Sequence, residues 1–91
     1  MRLDFEKSVE FEGKTYEGLD LNLEALIGKD IIAAEKEAMD LARMPVTDVS
    51  KIYHVCVAAR ASGVTPDMIL SLPAKEFNRV TLETQGFLLA L

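Results

Sequence analysis

The chain has 91 residues, 49% of them hydrophobic and 27% charged, which is typical of an ordinary globular protein and excludes a disordered tail. Its formal net charge is −5, with 12 acidic and 6 basic residues in positions 1–48 against 3 acidic and 4 basic residues in positions 49–91. Such a surface repels nucleic-acid phosphates, and no Lys/Arg cluster interleaves with aromatic residues. We therefore expect no nucleic-acid partner.

The N-terminal residues are acidic where a signal peptide needs an apolar run, and no apolar stretch approaches the length of a membrane span. The single cysteine, Cys56, has no partner within the chain for a disulfide, which fits a reducing compartment. We therefore expect a cytoplasmic protein that makes no membrane contact. The length suits one hydrophobic core, so a single domain at 1–91 is expected, with a β-hairpin at 1–23 and a helical part at 24–91.

Two N-terminal segments alternate apolar and polar residues and predict a β-hairpin. They run over 3–11 and 15–23 and are joined by a short turn at Gly13. Tyr16 is out of phase with the inward leucines of the second segment, and Gly18 lies between them, which predicts a bulge or a local twist that re-aims the ring. Because a two-stranded ribbon is marginally stable alone, the hairpin must pack on helices.

The rest of the chain has helical periodicity. After a helical turn at 23–27, Asp30 caps an amphipathic helix, and the apolar segment that follows belongs at the centre of the domain and ends at Gly63. Thr65 and Pro66 begin a short helix. The helices are expected at about 30–42, 49–62, 66–71 and 73–91. The predicted fold class is α+β, an N-terminal two-stranded β-hairpin packed on a bundle of about four α-helices.

The last helix has two apolar lines. The wider one is expected to face the core and comprises Phe77, Val80, Thr84, Phe87, Leu88 and Leu91. Leu82 and Leu89 are seven residues apart and fall off this line. They are the first candidates for contact with a protein partner, which includes the possibility of a second copy of the chain.

Met39, Met44 and Met68 are the second candidates for partner contact, since methionines form adaptable binding surfaces, although they also fill gaps in cores. The apolar C-terminal segment 87–91 must likewise be buried, either in the protein's own core or against a partner.

No residue constellation indicates catalysis. His54 and Cys56 are two apart on a predicted helix and therefore point away from one another, so we interpret them as a surface histidine and a core thiol. The segment Gly28-Lys29-Asp30 lacks the upstream glycine and the following Ser/Thr of a phosphate loop. The strand acids alternate onto the solvent face. We predict no enzyme activity, no metal and no cofactor.

A set of residues spread over almost the whole chain, in the hairpin and in the helices, has a distinctive order and spacing. They are Val9, Phe11, Gly13, Lys14, Tyr16, Leu19, Leu21, Leu26, Gly28, Asp30, Ile31, Ala34, Glu35, Ala59, Ala61, Gly63, Val64, Leu70, Leu72, Pro73, Phe77 and Val80. In this arrangement the chain resembles the small tail assembly chaperones of Mu-like and related contractile-tailed bacteriophages.

The resemblance implies a protein that binds the long, helical tape measure protein and keeps it soluble until the tail tube polymerises, and that is absent from the finished virion. It also implies a longer form made by translational frameshift past Leu91. The family has no active-site motif, so no catalytic residue is carried over. The alternatives are a structural subunit of the tail or baseplate, a small homo-oligomeric interaction module, or a regulator, which would need a basic DNA-binding face.

Overall fold

The computed structural model describes residues 1–90 and confirms the predicted α+β fold, an N-terminal two-stranded antiparallel hairpin followed by four helices. A single 3-10 turn lies at Leu23–Ala25, between the hairpin and the first helix. The strands and helices are β1 (Arg2–Phe11), β2 (Lys14–Asp20), α1 (Gly28–Ala42), α2 (Lys51–Ser62), α3 (Pro66–Leu70) and α4 (Ala74–Leu89).

The hairpin turn consists of Glu12 and Gly13, whose φ angles of 50° and 78° are both positive. Two positive φ values match the right-handed twist of the flanking strands, so a two-residue turn connects them directly. Phe11 therefore pairs with Lys14, which fixes the register at this end of the hairpin.

A large bulge interrupts the ladder, because Val9 pairs with Tyr16 whereas Asp4 pairs with Gly18. Residues 5–8 thus lie opposite Glu17 alone. The predicted bulge near Tyr16 and Gly18 is confirmed, but the additional residues belong to β1, not to β2. Beyond the bulge the strands approach so closely that a Cβ on Gly18 would lie 2.4 Å from the carbonyl oxygen of Leu3.

Helix α1 begins at Gly28, two residues before the predicted start, because Asp30 acts from inside the first turn. Its carboxylate accepts a hydrogen bond of 3.0 Å from the backbone N–H of Ile27. This is the acidic half of a capping box, and it places a negative charge at the positive end of the helix dipole. The segment Gly28-Lys29-Asp30 is thus the first turn of α1, and Asp30 caps the helix from within that turn and not from the N-cap position.

Helix α2 is the centre of the domain, as predicted, and α1, α3, α4 and β2 all pack on it. Its buried residues are Tyr53, His54, Val55, Cys56, Val57, Ala58, Ala59 and Ala61. Gly63 ends it with φ 70°, and Thr65 caps α3 by accepting a hydrogen bond from the Met68 N–H. The helix begins later than predicted. Val49, the predicted first residue, precedes the helix and is 62% exposed.

Helix α4 buries Val80 and Thr84 fully and Phe77 and Leu88 partly, in agreement with the predicted core stripe. The assignment of Phe87 to the core is wrong, because its side chain is 39% exposed. Between Thr84 and Ala90 no residue is fully buried, so the last turn of α4 extends past the core. The predicted core residue Leu91 lies outside the described residues.

Candidate functional site

The leucine face of α4, formed by Leu82 and Leu89, points away from the core. The two side chains are 60% and 43% exposed. On this side of the helix Gln85 and Gly86 lie between the two leucines and carry no charge, whereas Lys75 and Arg79 lie seven and three residues before Leu82. Seven-residue spacing places the leucines two helical turns apart on one line. The leucine face is therefore a narrow apolar stripe with basic residues at its N-terminal end, and it has the geometry that a partner helix packs against.

The other predicted contact residues, Met39 and Met44, lie at the C-terminal end of α1 and just beyond it. Met39 is 36% exposed and Met44 is 63% exposed. Arg43, between them, has φ 55° and ends the helix in the left-handed conformation. Met68 does not join them, because it is 1% exposed and belongs to the core. Of the three methionines, only two remain available to a partner.

The structure does not combine the leucine face with the two exposed methionines. Helices α1 and α4 each pack against α2, and they form no extended contact with one another. The four residues predicted to bind a protein therefore belong to two separate surfaces, one on each of these helices. A partner helix that covers Leu82 and Leu89 would not reach Met39 through the same contact.

The prediction that His54 is a surface residue is wrong, since it is 1% exposed. Its Nε2 lies 2.7 Å from the carbonyl oxygen of Asp48, so Nε2–H is the donor of this hydrogen bond. The loop before α2 thus folds over the imidazole ring. Nδ1 has no hydrogen-bond partner among the described residues. The ring is held as part of the packing between the loop and α2.

Cys56 is a core thiol, as predicted, with no exposed surface. Burial, assisted by the nearby Glu37 carboxylate, raises the pKa of this thiol to about 12. Since only the thiolate is a good nucleophile or metal ligand, the side chain is chemically inert in the folded protein. Within residues 1–90, no group of three or more His, Cys, Asp and Glu side chains is arranged to hold a metal ion.

Sequence reasoning missed Glu76, a carboxylate on α4 that is only 4% exposed. It accepts hydrogen bonds of 2.8 Å from the backbone N–H of Glu6 and from the guanidinium of Arg79. Arg79 also donates to the carbonyl oxygen of Asp4. The bulge of β1 is thereby attached to α4. The only local signal was the spacing of Glu76 and Arg79, which suits an ion pair on one helix.

None of the helices described has the length and the hydropathy that a membrane crossing requires. The described surface instead presents exposed apolar side chains on α1 and α4 that the domain does not cover. The profile of the family described as phage tail assembly chaperone proteins, E, or 41 or 14, matches residues 1–89. The chain belongs to this family of phage tail assembly chaperones. Comparison with curated proteins and with solved structures gives no match.

Proposed function

We propose that this tail assembly chaperone binds the tape measure protein of its phage and keeps it soluble in the host cytoplasm until the tail tube polymerises. The membership of the chaperone family supports the general role. The more specific partner is supported by the resemblance to the chaperones of Mu-like phages. A tape measure protein is long and helical, so a chaperone for it must cover apolar helix surface repeatedly along its length.

The observation that carries the proposal is the exposure of Leu82 and Leu89 on one line of α4. Two leucines at heptad spacing form the kind of seam into which the side chains of a second helix insert. The contact is short, so each copy binds weakly. Several copies along one tape measure protein would gain from multivalency. We assign the exposed Met39 and Met44 to a second contact, on α1 and just beyond its end.

Two measurements test this proposal. Affinity-tagged tape measure protein, expressed together with the chaperone, is expected to retain the chaperone through purification. Quantitative mass spectrometry of finished phage particles is expected to find the tape measure protein without stoichiometric chaperone. Near-stoichiometric recovery from finished particles would instead make the chain a structural subunit of the tail or baseplate, and failure to co-purify would overturn the proposed partner.

A further inference from the structure

Helix α1 has an outward stripe in which basic and apolar residues alternate. Ile32 is 67% exposed and Met39 is 36% exposed, and three exposed cations accompany them. Successive members are separated by three or four residues, which places the four members within α1 on one side of the helix, and the fifth is the residue that ends the helix. We call this set the cationic α1 stripe, and it consists of Lys29, Ile32, Lys36, Met39 and Arg43.

The three charges of the cationic α1 stripe are not used within the domain. Among residues 1–90, the basic residues that form ion pairs are Arg2, Arg60, Lys75 and Arg79. Within that part of the chain, no stripe cation forms an ion pair or a side-chain hydrogen bond, although Asp40 lies four residues after Lys36 on α1. Three positive charges that form no ion pair among the described residues are thus concentrated along α1 and at its end, in a chain whose net charge is −5.

The composition of the stripe is not explained by the stability of α1. Lys29 lies in the first turn of the helix, where the positive end of the dipole disfavours a cation. Ile32, one turn later, leaves most of its apolar surface in water. Residues that destabilise the element in which they lie are expected at functional sites. Binding of a partner explains both residues.

We propose that the cationic α1 stripe binds an amphipathic helix whose facing side alternates acidic and apolar residues. Positions 29, 36 and 43 and positions 32 and 39 correspond to the two core positions of a heptad repeat. A partner helix in this register places acids against the cations and apolar residues against Ile32 and Met39. The described stripe is about 21 Å long at 1.5 Å per residue, which suits two heptads of the partner.

The choice of a helix over a membrane or a nucleic acid follows from the charge elsewhere on the chain. Residues 1–48 contain 12 acids, most of them on the hairpin and on other faces of α1. A polyanion wider than one helix would also meet Glu35, Glu37 and Asp40 on the neighbouring faces of α1, within a screening length of about 8 to 10 Å. A single helix lies along the stripe alone and avoids them. Two exposed apolar residues are also few for insertion into a lipid surface.

The identity of the bound helix rests on the proposed function. If the chain binds the tape measure protein, the helix on the cationic α1 stripe is a segment of that protein. On α4 no charged residue lies between Leu82 and Leu89 on the leucine face, whereas cations and apolar residues alternate along the α1 stripe. The two surfaces therefore select different helical segments, one apolar and one with acids at heptad spacing. One copy of the chaperone would hold two helical segments of the partner. These segments would be either separate or the two neighbouring helices of a helical hairpin.

Two synthetic helices of about four heptads each provide the probes, one with Glu and Leu and the other with Lys and Leu at the core positions. Fluorescence anisotropy measures their binding to the full chain. We expect the wild type to bind the Glu/Leu helix at least tenfold more tightly than the Lys/Leu helix. The double variant Lys29→Glu with Lys36→Glu is expected to reverse this order. Folding should survive, because Glu is favoured over Lys at position 29 by the helix dipole.

The matched control is Lys7→Glu with Lys14→Glu, which changes the net charge equally at exposed positions of the hairpin. It is expected to bind the Glu/Leu helix within about threefold of the wild type, since a loss of long-range attraction alone is screened. Equal loss in both double variants, or equal binding of both helices by the wild type, would overturn the proposal. Binding to vesicles with 30% phosphatidylserine in place of the helix would also overturn it.

Solubility of the tape measure protein separates this inference from the proposed function. If the wild type fails to keep the tape measure protein soluble and still selects the Glu/Leu helix through the stripe, the proposed function is overturned and the stripe chemistry is supported. If Lys29→Glu with Lys36→Glu keeps the tape measure protein soluble and binds the Glu/Leu helix as the wild type does, the stripe assignment alone is overturned.

Discussion

The backbone N–H of Glu6 donates a hydrogen bond of 2.8 Å to the carboxylate of Glu76, which lies 70 residues later in the chain. Glu6 is one of the residues in the β1 bulge that face no partner of their own on β2. The bulge therefore frees a backbone donor from the sheet, and α4 supplies its acceptor. The hairpin is held on the helix that carries the leucine face.

Replacement of Glu76 by Gln is expected to destabilise the protein in a pH-dependent way. Burial alone would raise the pKa of this carboxyl, but the Arg79 guanidinium, the Glu6 N–H and Lys75 hold it below its usual value. Because the pKa is lower in the folded state, the ionised carboxylate stabilises the fold at pH values above the unfolded-state pKa of 4.5. This stabilisation is lost as the pH falls through the folded-state pKa. We expect a loss of about 1 to 3 kcal/mol at pH 7.

Denaturant unfolding at pH 7 and at pH 3 measures this effect. The difference between wild type and Glu76→Gln should shrink at the acidic pH, because below 4.5 the unfolded chain takes up a proton at Glu76 more readily than the folded chain does. Glu83→Gln, at an exposed position of the same helix, is the control and should be nearly neutral at both values. A loss of the same size at pH 3 would show that the ionised carboxylate is not the stabilising species.

Substitution of Gly18 by Ala is expected to distort the hairpin. The added Cβ would lie 2.4 Å from the Leu3 carbonyl oxygen and 3.0 Å from the Cα of Asp4, both of which are backbone atoms of the paired strand. We expect a destabilisation of about 1 to 3 kcal/mol or more, since β1 must move away. Thermal melting measures the change.

Gly86→Ala is the matched control, because a Cβ at this position of α4 meets nothing within 4 Å. The same substitution there should stabilise the helix by about 0.5 to 1 kcal/mol. We therefore expect alanine to lower the melting temperature at Gly18 and to raise it at Gly86. An unchanged melting temperature for Gly18→Ala would mean that the strands tolerate a wider separation than the structure has.

Exposure predicts that the leucine face can be altered without loss of the fold. Leu82→Asp with Leu89→Asp should melt within a few degrees of the wild type, because both side chains already contact water. Ile69→Ala, at a fully buried position, should cost about 2 to 5 kcal/mol and lower the melting temperature by about 10 °C or more. Equal destabilisation by both changes would assign the leucines to the core and remove them as contact residues.

The thiol of Cys56 should be protected from modification in the native state. Because burial raises its pKa to about 12, almost no thiolate exists at pH 8. A chromogenic disulfide reagent is expected to label the unfolded chain within minutes and the native chain at least a hundredfold more slowly. Fast native labelling would show that α2 opens readily, which would contradict its place at the centre of the domain.

Local signals in the sequence predicted much of the fold. The apolar residues around α2, the left-handed Gly63 and the Thr65 cap each depend on neighbours in the chain, and each is confirmed. The exposure of Leu82 and Leu89 followed from helical periodicity alone and is also confirmed. Their contact with a partner stays a prediction.

The errors concern features that depend on distant parts of the chain. Periodicity extended the core stripe to Phe87 but could not show where the core beneath it ends. His54 is polar, and its burial depends on the path of the preceding loop, which brings the Asp48 carbonyl to the ring. The hydrogen bond between Glu6 and Glu76 requires the bulge, the strand pairing and the helix position together.

The soluble fraction of the tape measure protein, expressed with and without the chain, tests the central claim most directly. We predict that the wild type raises this fraction severalfold and that Leu82→Asp with Leu89→Asp loses the effect, because two leucines removed from an interface weaken binding at least about tenfold. Val49→Asp with Leu70→Asp likewise replaces two exposed aliphatic side chains by acids, in the loop before α2 and on α3, and should act as the wild type does. An equally insoluble tape measure protein in the presence of the wild type would contradict the account.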